Sequence, residues 1–352
     1  MKIQFLYKIS ALLLFVNVIN LSYSQSPPND KNWEIDFVDD FNSNTLNSRW
    51  YKEIFTGHGK RQDPYLYKAE NITIDNGKLL ITAKNTANIL CTNSVIDCCY
   101  GKVHHHTSGS LSSTTTYKYG YFEIVTKLPA GEGFCPAFWL WNFNCPENWY
   151  NEIDIMEGIF DASTMNSNNV WINKSNKTCT SIFDSSFLKQ FVDTVRNVNI
   201  TQYNTYAFEW TPRELRWYLN GNLTKTIKNT FSYNTVGIQH PMYLVTNLAL
   251  EKLESCGNTG RKVTANTPFP AIMYVDKISH YNLKTDCNTI VNEIPNFNTY
   301  YYAVKKSITL SGTTNIPPNS NITLRATDYF ELKTGFVVPL GTEVCFAPTA
   351  CY

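Results

Sequence analysis

The sequence predicts an all-β sandwich, and three observations carry that expectation. Alternating runs rich in aromatic residues and Thr recur along most of the chain; turn residues punctuate them; long amphipathic helical patterns are scarce. In chain order the expected strands begin with Ile72–Ile74 and Leu79–Ala83, joined by the turn pair Asn76-Gly77. Gly109–Thr116, Tyr119–Lys127, Ala137–Trp141 and Glu152–Glu157 follow. Tyr206–Trp210 precedes Leu215–Leu219, which ends at a second turn pair, Asn220-Gly221; Met242–Leu250 and Ile272–Tyr281 complete the set. Ser185–Val195 is the best short helical pattern. A stretch of about 250 residues is large for an immunoglobulin-like unit and suits a two-sheet β-jelly roll.

The texture changes near Cys287. Residues 287–304, rich in Asn and interrupted by Pro295, read as a linker. Residues 305–352 hold short runs at Ser307–Leu310, Asn321–Leu324 and Tyr329–Leu332, which predict a small C-terminal β module stacked as a coil. This module resembles the small C-terminal repeat modules of exported Bacteroidetes proteins. At the other end, Lys2 and Lys8 precede the apolar run Ile9–Val18, and Ser22-Tyr23-Ser24 offers a cleavage site, so residues 1–24 are expected to be a signal peptide. The expected catalytic region is then 25–286. The apolar run is short for a membrane span and no second one follows.

Composition excludes several classes. Hydrophobic residues make up 43% and charged residues 17% of the 352, enough apolar side chain for a real core. Loss of the leader would leave 28 of the 30 basic residues against 29 acids, a net charge of about −1, with no basic surface for nucleic acid. Ten cysteines in an exported chain favour disulfides over zinc, because no pair of Cys-x-x-Cys motifs is present. Cys345 with Cys351 is a plausible local staple.

The most informative run is Glu152-Ile153-Asp154-Ile155-Met156-Glu157. As a strand, Glu152 and Asp154 share one face and the two isoleucines the other. Glu157 joins the acids only if one residue is bulged out around Met156, a device frequent beside active sites. With the bulge, the two Glu backbones lie about four strand steps apart, roughly 13 Å. Side chains leaning toward one sugar could close that to the ~5–5.5 Å of a retaining glycosidase pair. A solvated strand edge is the other reading of such a short acidic alternation.

Around this run, Tyr119-Gly120-Tyr121-Phe122-Glu123, Lys127-Leu128-Pro129, Pro136–Leu140 and Asn151–Glu157 resemble the central block of the family-16 glycoside hydrolases. Phe37–Phe41 with Leu46–Trp50, Tyr206–Pro212 with Leu215–Gly221, Pro241–Leu244 with Asn247–Ala249, and Tyr274–Ile278 with Tyr281 resemble other blocks of that family in its order, over roughly 33–285. The resemblance implies a jelly roll with a concave cleft, Glu152 as nucleophile, Asp154 as supporting acid and Glu157 as general acid/base, protonated under the influence of the neighbouring carboxylate and partial burial. It implies no cofactor for catalysis. It assigns Asn71 to sugar contact, although Asn71 also opens an Asn-Ile-Thr sequon. It also implies a structural calcium held by Asp276 with the backbone at Asp40 and Gly77. Sugar rings need flat apolar faces, and Trp139 and Trp149 are the candidates nearest the acids; Trp139 reads equally as core.

The implied activity is that of a secreted, retaining endo-glycosidase acting as a monomer on a β-linked polysaccharide, β-1,3- or mixed-linkage glucan first. Agarase-, porphyranase- or carrageenase-type hydrolysis is the alternative, and a non-catalytic carbohydrate-binding protein is the competing class. Two departures bear on substrate: no histidine follows the acidic motif at Asn168–Ile172, and Leu90–Thr107 looks like an insertion. Within it, His104, His105 and His106 point alternately on a strand and so do not converge on a metal; a loop at the cleft edge is expected for them.

Overall fold

The computed structural model describes residues 27–28, 33–52, 65–90, 103–144, 149–161, 164–166, 169–174, 189–190, 194–196, 198–211, 214–228, 241–250, 263–283, 286–294, 304–316, 318, 321–348 and 351. The strands run β1 (Trp33–Asp39), β2 (Trp50–Tyr51), β3 (Tyr65–Tyr67), β4 (Ile72–Asp75), β5 (Lys78–Leu90), β6 (Val103–Ser108), β7 (Ser110–Tyr117) and β8 (Gly120–Lys127). They continue with β9 (Phe134–Asn144), β10 (Trp149–Glu157), β11 (Ile159–Asp161), β12 (Thr164–Asn166), β13 (Asn169–Lys174), β14 (Lys189–Gln190), β15 (Thr194–Arg196) and β16 (Asn204–Trp210). The last are β17 (Glu214–Leu219), β18 (Asn222–Lys228), β19 (Met242–Leu250), β20 (Ala271–Leu283), β21 (Asp286–Val291), β22 (Lys305–Leu310), β23 (Asn321–Leu332) and β24 (Glu343–Pro348). No helix among the described residues is long and apolar enough to cross a membrane.

A ten-stranded sheet in the order β18-β17-β16-β8-β20-β5-β6-β3, with β1 on β20 and β4 on β5, faces a seven-stranded sheet ordered β14-β13-β10-β9-β19-β7-β2. One core fills the space between them. The larger sheet contributes alternate residues such as Phe122, Ile124, Phe208, Trp210, Trp217 and Met273; the smaller contributes Phe138, Leu140, Ile153, Leu244 and Leu248. This is the two-sheet jelly roll expected from the period-two pattern. The start of β8 lies tightly against the end of β20: a Cβ on Gly120, whose φ is +117°, would lie 2.6 Å from the carbonyl oxygen of Tyr281, so the position requires glycine.

Several local expectations change. Ser185–Val195 is no helix where it is described, because its residues enter β14 and β15. The stretch read as a linker begins with β21, the first strand of a separate four-stranded sheet, β21-β22-β23-β24. Its pairings are parallel, as a coil of stacked turns demands. The two runs at Asn321 and Tyr329 fuse into β23, whose first half pairs with β24 and whose second half pairs with β22. The staple is Cys287–Cys351, with Cα atoms 5.9 Å apart, and Cys345 is free. Spacing favoured the local pair, but Cys345 lies within β24, where its strand register fixes it opposite Thr323.

Candidate active site

The site starts from one extra residue. On β10, Asp154 faces Trp139 of β9 and Met156 faces the next residue, Phe138, so Ile155 has no counterpart. This bulge lies one position before Met156. Ile153, Ile155 and Met156 are all in the sandwich core, and two consecutive buried side chains are what a bulged strand permits. Glu152, Asp154 and Glu157 consequently share the face turned away from the core. Glu152 and Glu157 are partly exposed, whereas Asp154 is 2% exposed. From the opposite sheet, the buried indole Nε1–H of Trp217 donates to the backbone oxygen of Asp154 over 3.0 Å. That bond holds the residue just before the bulge.

Register supplies the neighbours on the same face. Trp141 lies opposite Glu152, Trp139 opposite Asp154 and Ala137 opposite Glu157; Tyr243, Val245 and Asn247 lie one strand further. Ala137, Trp139, Trp141 and Val245 form a cluster with Tyr243 packed against it. Trp139 is not part of the core between the sheets, where Phe138 and Leu140 take the inward positions, but it is buried in this separate cluster. Trp139 donates to Asn247 Oδ1 at 2.7 Å, Asn247 donates to the Tyr67 hydroxyl at 3.1 Å, and Tyr65 donates to the same hydroxyl at 3.0 Å. Trp139 and Trp141 are 6% and 5% exposed, so neither presents an open ring face. Trp141, Tyr243, Asn247 and Tyr67 escaped the sequence reading; the Trp-x-Trp spacing two residues apart was the signal for Trp141.

The chemistry open to such a face is that of two partly exposed carboxylates flanking a buried third, beside two buried indoles. The family model for glycosyl hydrolases of family 16 matches residues 59–264. The chain belongs to glycosyl hydrolase family 16. It is 26% identical over 304 residues to a β-glucanase of Rhodothermus marinus, covering 80% of this chain and 96% of that protein. It is 28% identical over 275 residues to glucan endo-1,3-β-glucosidase A1 of Niallia circulans, covering 69% of this chain and 37% of that protein. The catalytic domain of an endo-1,3-β-glucanase (laminarinase) from Thermotoga petrophila superposes with a TM-score of 0.56 at 23% identity, over 72% of this chain and all of that one.

Other residues expected to serve this family-16 hydrolase are placed differently. Asn71 is 2% exposed and donates to the carbonyl oxygen of Ser108 at 2.9 Å. Its side chain is buried in the fold and bonded to β6. Trp149 opens β10, paired with Asn144 and Lys174; only its strand position is described. His104–His106 lie on β6, a strand of the larger sheet, and not in a loop. They alternate as expected: His104 is buried, His105 exposed, and His106 bonds Asn85 at 2.8 Å while stacking on Phe269. Burial and the neighbouring His105 lower the His106 pKa below its ordinary value. Cys91, Cys98 and Cys99 lie outside the described residues.

The expected calcium residues do not fit a calcium as they stand. The Lys78 ammonium is ion-paired with Asp276 Oδ1 and donates to the Gly77 carbonyl at 3.2 Å. A side-chain cation thus already serves two of the three expected ligands, and a divalent ion would have to displace it. Among the described residues there is no group of three or more His, Cys, Asp or Glu able to hold a metal.

Proposed function

We propose that this family-16 glycoside hydrolase cleaves β-1,3- or mixed-linkage β-glucan internally, by double displacement, with Glu152 as nucleophile, Asp154 as its hydrogen-bonding support and Glu157 as acid/base. The observation that carries the reading is the Ile155 bulge, which puts all three acids on one face of β10. Glu152 attacks the anomeric carbon as Glu157 protonates the departing glycosidic oxygen. Once Glu152 is esterified, Glu157 takes a proton from the incoming water, whose oxygen releases the sugar and restores both groups. The names of the β-glucanase and endo-1,3-β-glucosidase relatives favour glucan as substrate. Export belongs to the same proposal. The leader-like residues 1–24 and the Cys287–Cys351 bridge support it, since disulfides persist in oxidising compartments.

Reducing-end release from laminarin, lichenan, agarose, porphyran and carrageenan tests it. Laminarin or lichenan should be cut, and Glu152→Ala and Glu157→Ala should each lower the rate at least ~10³-fold with the circular dichroism spectrum unchanged. Full activity in either variant would remove the assignment; no product from any substrate would favour a binding protein.

A further inference from the structure

The row that carries Glu152 continues across the sheet. Glu152 is in register with Trp141, Trp141 with Tyr243, and Tyr243 with Thr116. These are three strand spacings, roughly 14 Å. At its far end Thr116 lines a cavity of about 520 Å³ that also has Arg49, Lys118, Asp36, His280 and Asn282 in its wall. The cavity lies where the end of β7 meets β1 and β20, beyond the edge of the acidic face. The proposed catalytic mechanism uses none of its residues.

Its charge is the informative property. Arg49 has its guanidinium carbon 4.1 Å from the centre of the Phe37 ring, and Lys118 lies 5.1 Å from that of Tyr119. Arg49 also hydrogen-bonds the Tyr117 side chain and adds its charge to the field on Asp36, while no salt bridge to Lys118 is present among the described residues. The one acid in the wall, Asp36, accepts from His280 Nδ1 at 3.0 Å, so its negative charge is already directed at a partner. Two cations therefore line the space with a single carboxylate, and that carboxylate is directed at His280. Guanidinium and ammonium groups placed this way recognise sulfate and carboxylate oxygens. The volume greatly exceeds that of a bare oxyanion and leaves room for more than one sugar ring, and the surrounding hydroxyl and amide groups suit such rings.

We propose that this cavity is an ancillary glycan site, which takes an anionic substituent (a sulfate ester or a uronate carboxylate) of a sugar chain lying along the Glu152–Thr116 row, with Arg49 and Lys118 as donors. It rests on the polysaccharide reading of the acidic face, but its test is separable from that reading. The full chain is titrated calorimetrically at low ionic strength with a sulfated galacto-oligosaccharide, its desulfated counterpart, a glucuronate-bearing oligosaccharide and sodium sulfate. Hydrolysis of laminarin is followed in parallel. At least one anionic oligosaccharide should bind about tenfold more tightly than the neutral one, and the arm that does so identifies the substituent. Lys118→Gln and Arg49→Gln should each abolish that preference while leaving laminarin hydrolysis within about twofold. Lys118 is at the surface, so its variant keeps the test valid should Arg49→Gln fold poorly. Equal affinity for charged and neutral chains, or a preference that survives Lys118→Gln, overturns the proposal. So does free sulfate binding as tightly as the sulfated sugar, which would make the cavity a plain ion site. Failure of laminarin hydrolysis with the charge preference intact would instead fault the assignment of substrate.

Discussion

Trp217 shows how far a single side chain can reach toward the proposed catalytic acids. Its indole crosses the core to the Asp154 carbonyl, so the bulge is fixed by the opposite sheet as well as by its own ladder. Trp217→Phe keeps an aromatic ring in the core and removes the donor. A buried carbonyl that loses its partner costs about 1–3 kcal/mol, and a small shift of Glu157 relative to Glu152 is expected to lower kcat at least ~10-fold with KM little changed. Stopped assays with thermal melts check both numbers; full kcat at lowered stability would show that the bond serves folding alone. Lys78 is a second residue with a separable consequence. Because its ammonium already serves Asp276 and Gly77, EDTA and millimolar calcium are expected to leave the melting temperature within about 1 °C. Lys78→Ser should lower it and make it calcium-responsive. A wild-type melting temperature that rises with calcium and ceases to do so in Asp276→Asn would refute this.

At the scale of elements, the contact between β8 and β20 carries an ion pair in a nearly dry place. Glu123 is fully buried, and its carboxylate lies 2.7 Å from the Lys277 ammonium and 3.3 Å from the Ser279 hydroxyl. Burial raises the Glu123 pKa above its usual value even though Lys277 and Ser279 pull the other way. Lys277→Met strands that carboxyl and is expected to cost about 3 kcal/mol at neutral pH, whereas adding Glu123→Gln recovers most of it. Urea unfolding of the two variants measures the difference, and equal losses would mean that the pair is not coupled. Elements are also where the sequence was most legible. Ala137–Trp141 is almost uniformly apolar, yet period two sorts it correctly once β10 is beside it: Phe138 and Leu140 inward, Trp139 and Trp141 outward. The need for a bulge could be read from the acid spacing alone, because Glu157 is on the wrong parity without one. Its exact position could not, since the choice between Ile155 and Met156 depends on pairing with Phe138. Ser185–Val195 misled because short amphipathic patterns fit two periods, and the pairing of β14 with β13 and of β15 with β12 lies outside the segment itself.

For the whole molecule, long-range pairing decides what local reading cannot. The jelly roll brings β1 onto β20, more than two hundred residues apart, and so puts Asp36 beside His280. The hydrogen bond from His280, with the charge of Arg49 adding to it, holds the Asp36 carboxyl below the usual range despite partial burial. A carboxyl with a depressed folded-state pKa contributes stability above its unfolded pKa, and that contribution is lost as pH falls through the folded value. Asp36→Asn should therefore flatten the acid limb of the melting-temperature profile below about pH 4. An unchanged acid limb would show that the pair carries no net stability. The C-terminal sheet teaches the same lesson: its short runs were visible in sequence, but the fusion of two of them into β23 and the bridge from Cys287 to Cys351 depend on a parallel register set by chain segments far apart.

The bond from Trp139 to Asn247, itself tied through Tyr67 to Tyr65, has a thermodynamic corollary. For an oligosaccharide docking on Trp139, as expected from the sequence, an indole already locked would lose almost no rotational freedom, and the entropic cost of association would fall on the oligosaccharide. Calorimetry of Asn247→Leu against the native chain would register this as a more unfavourable binding entropy with the sign of the heat-capacity change retained.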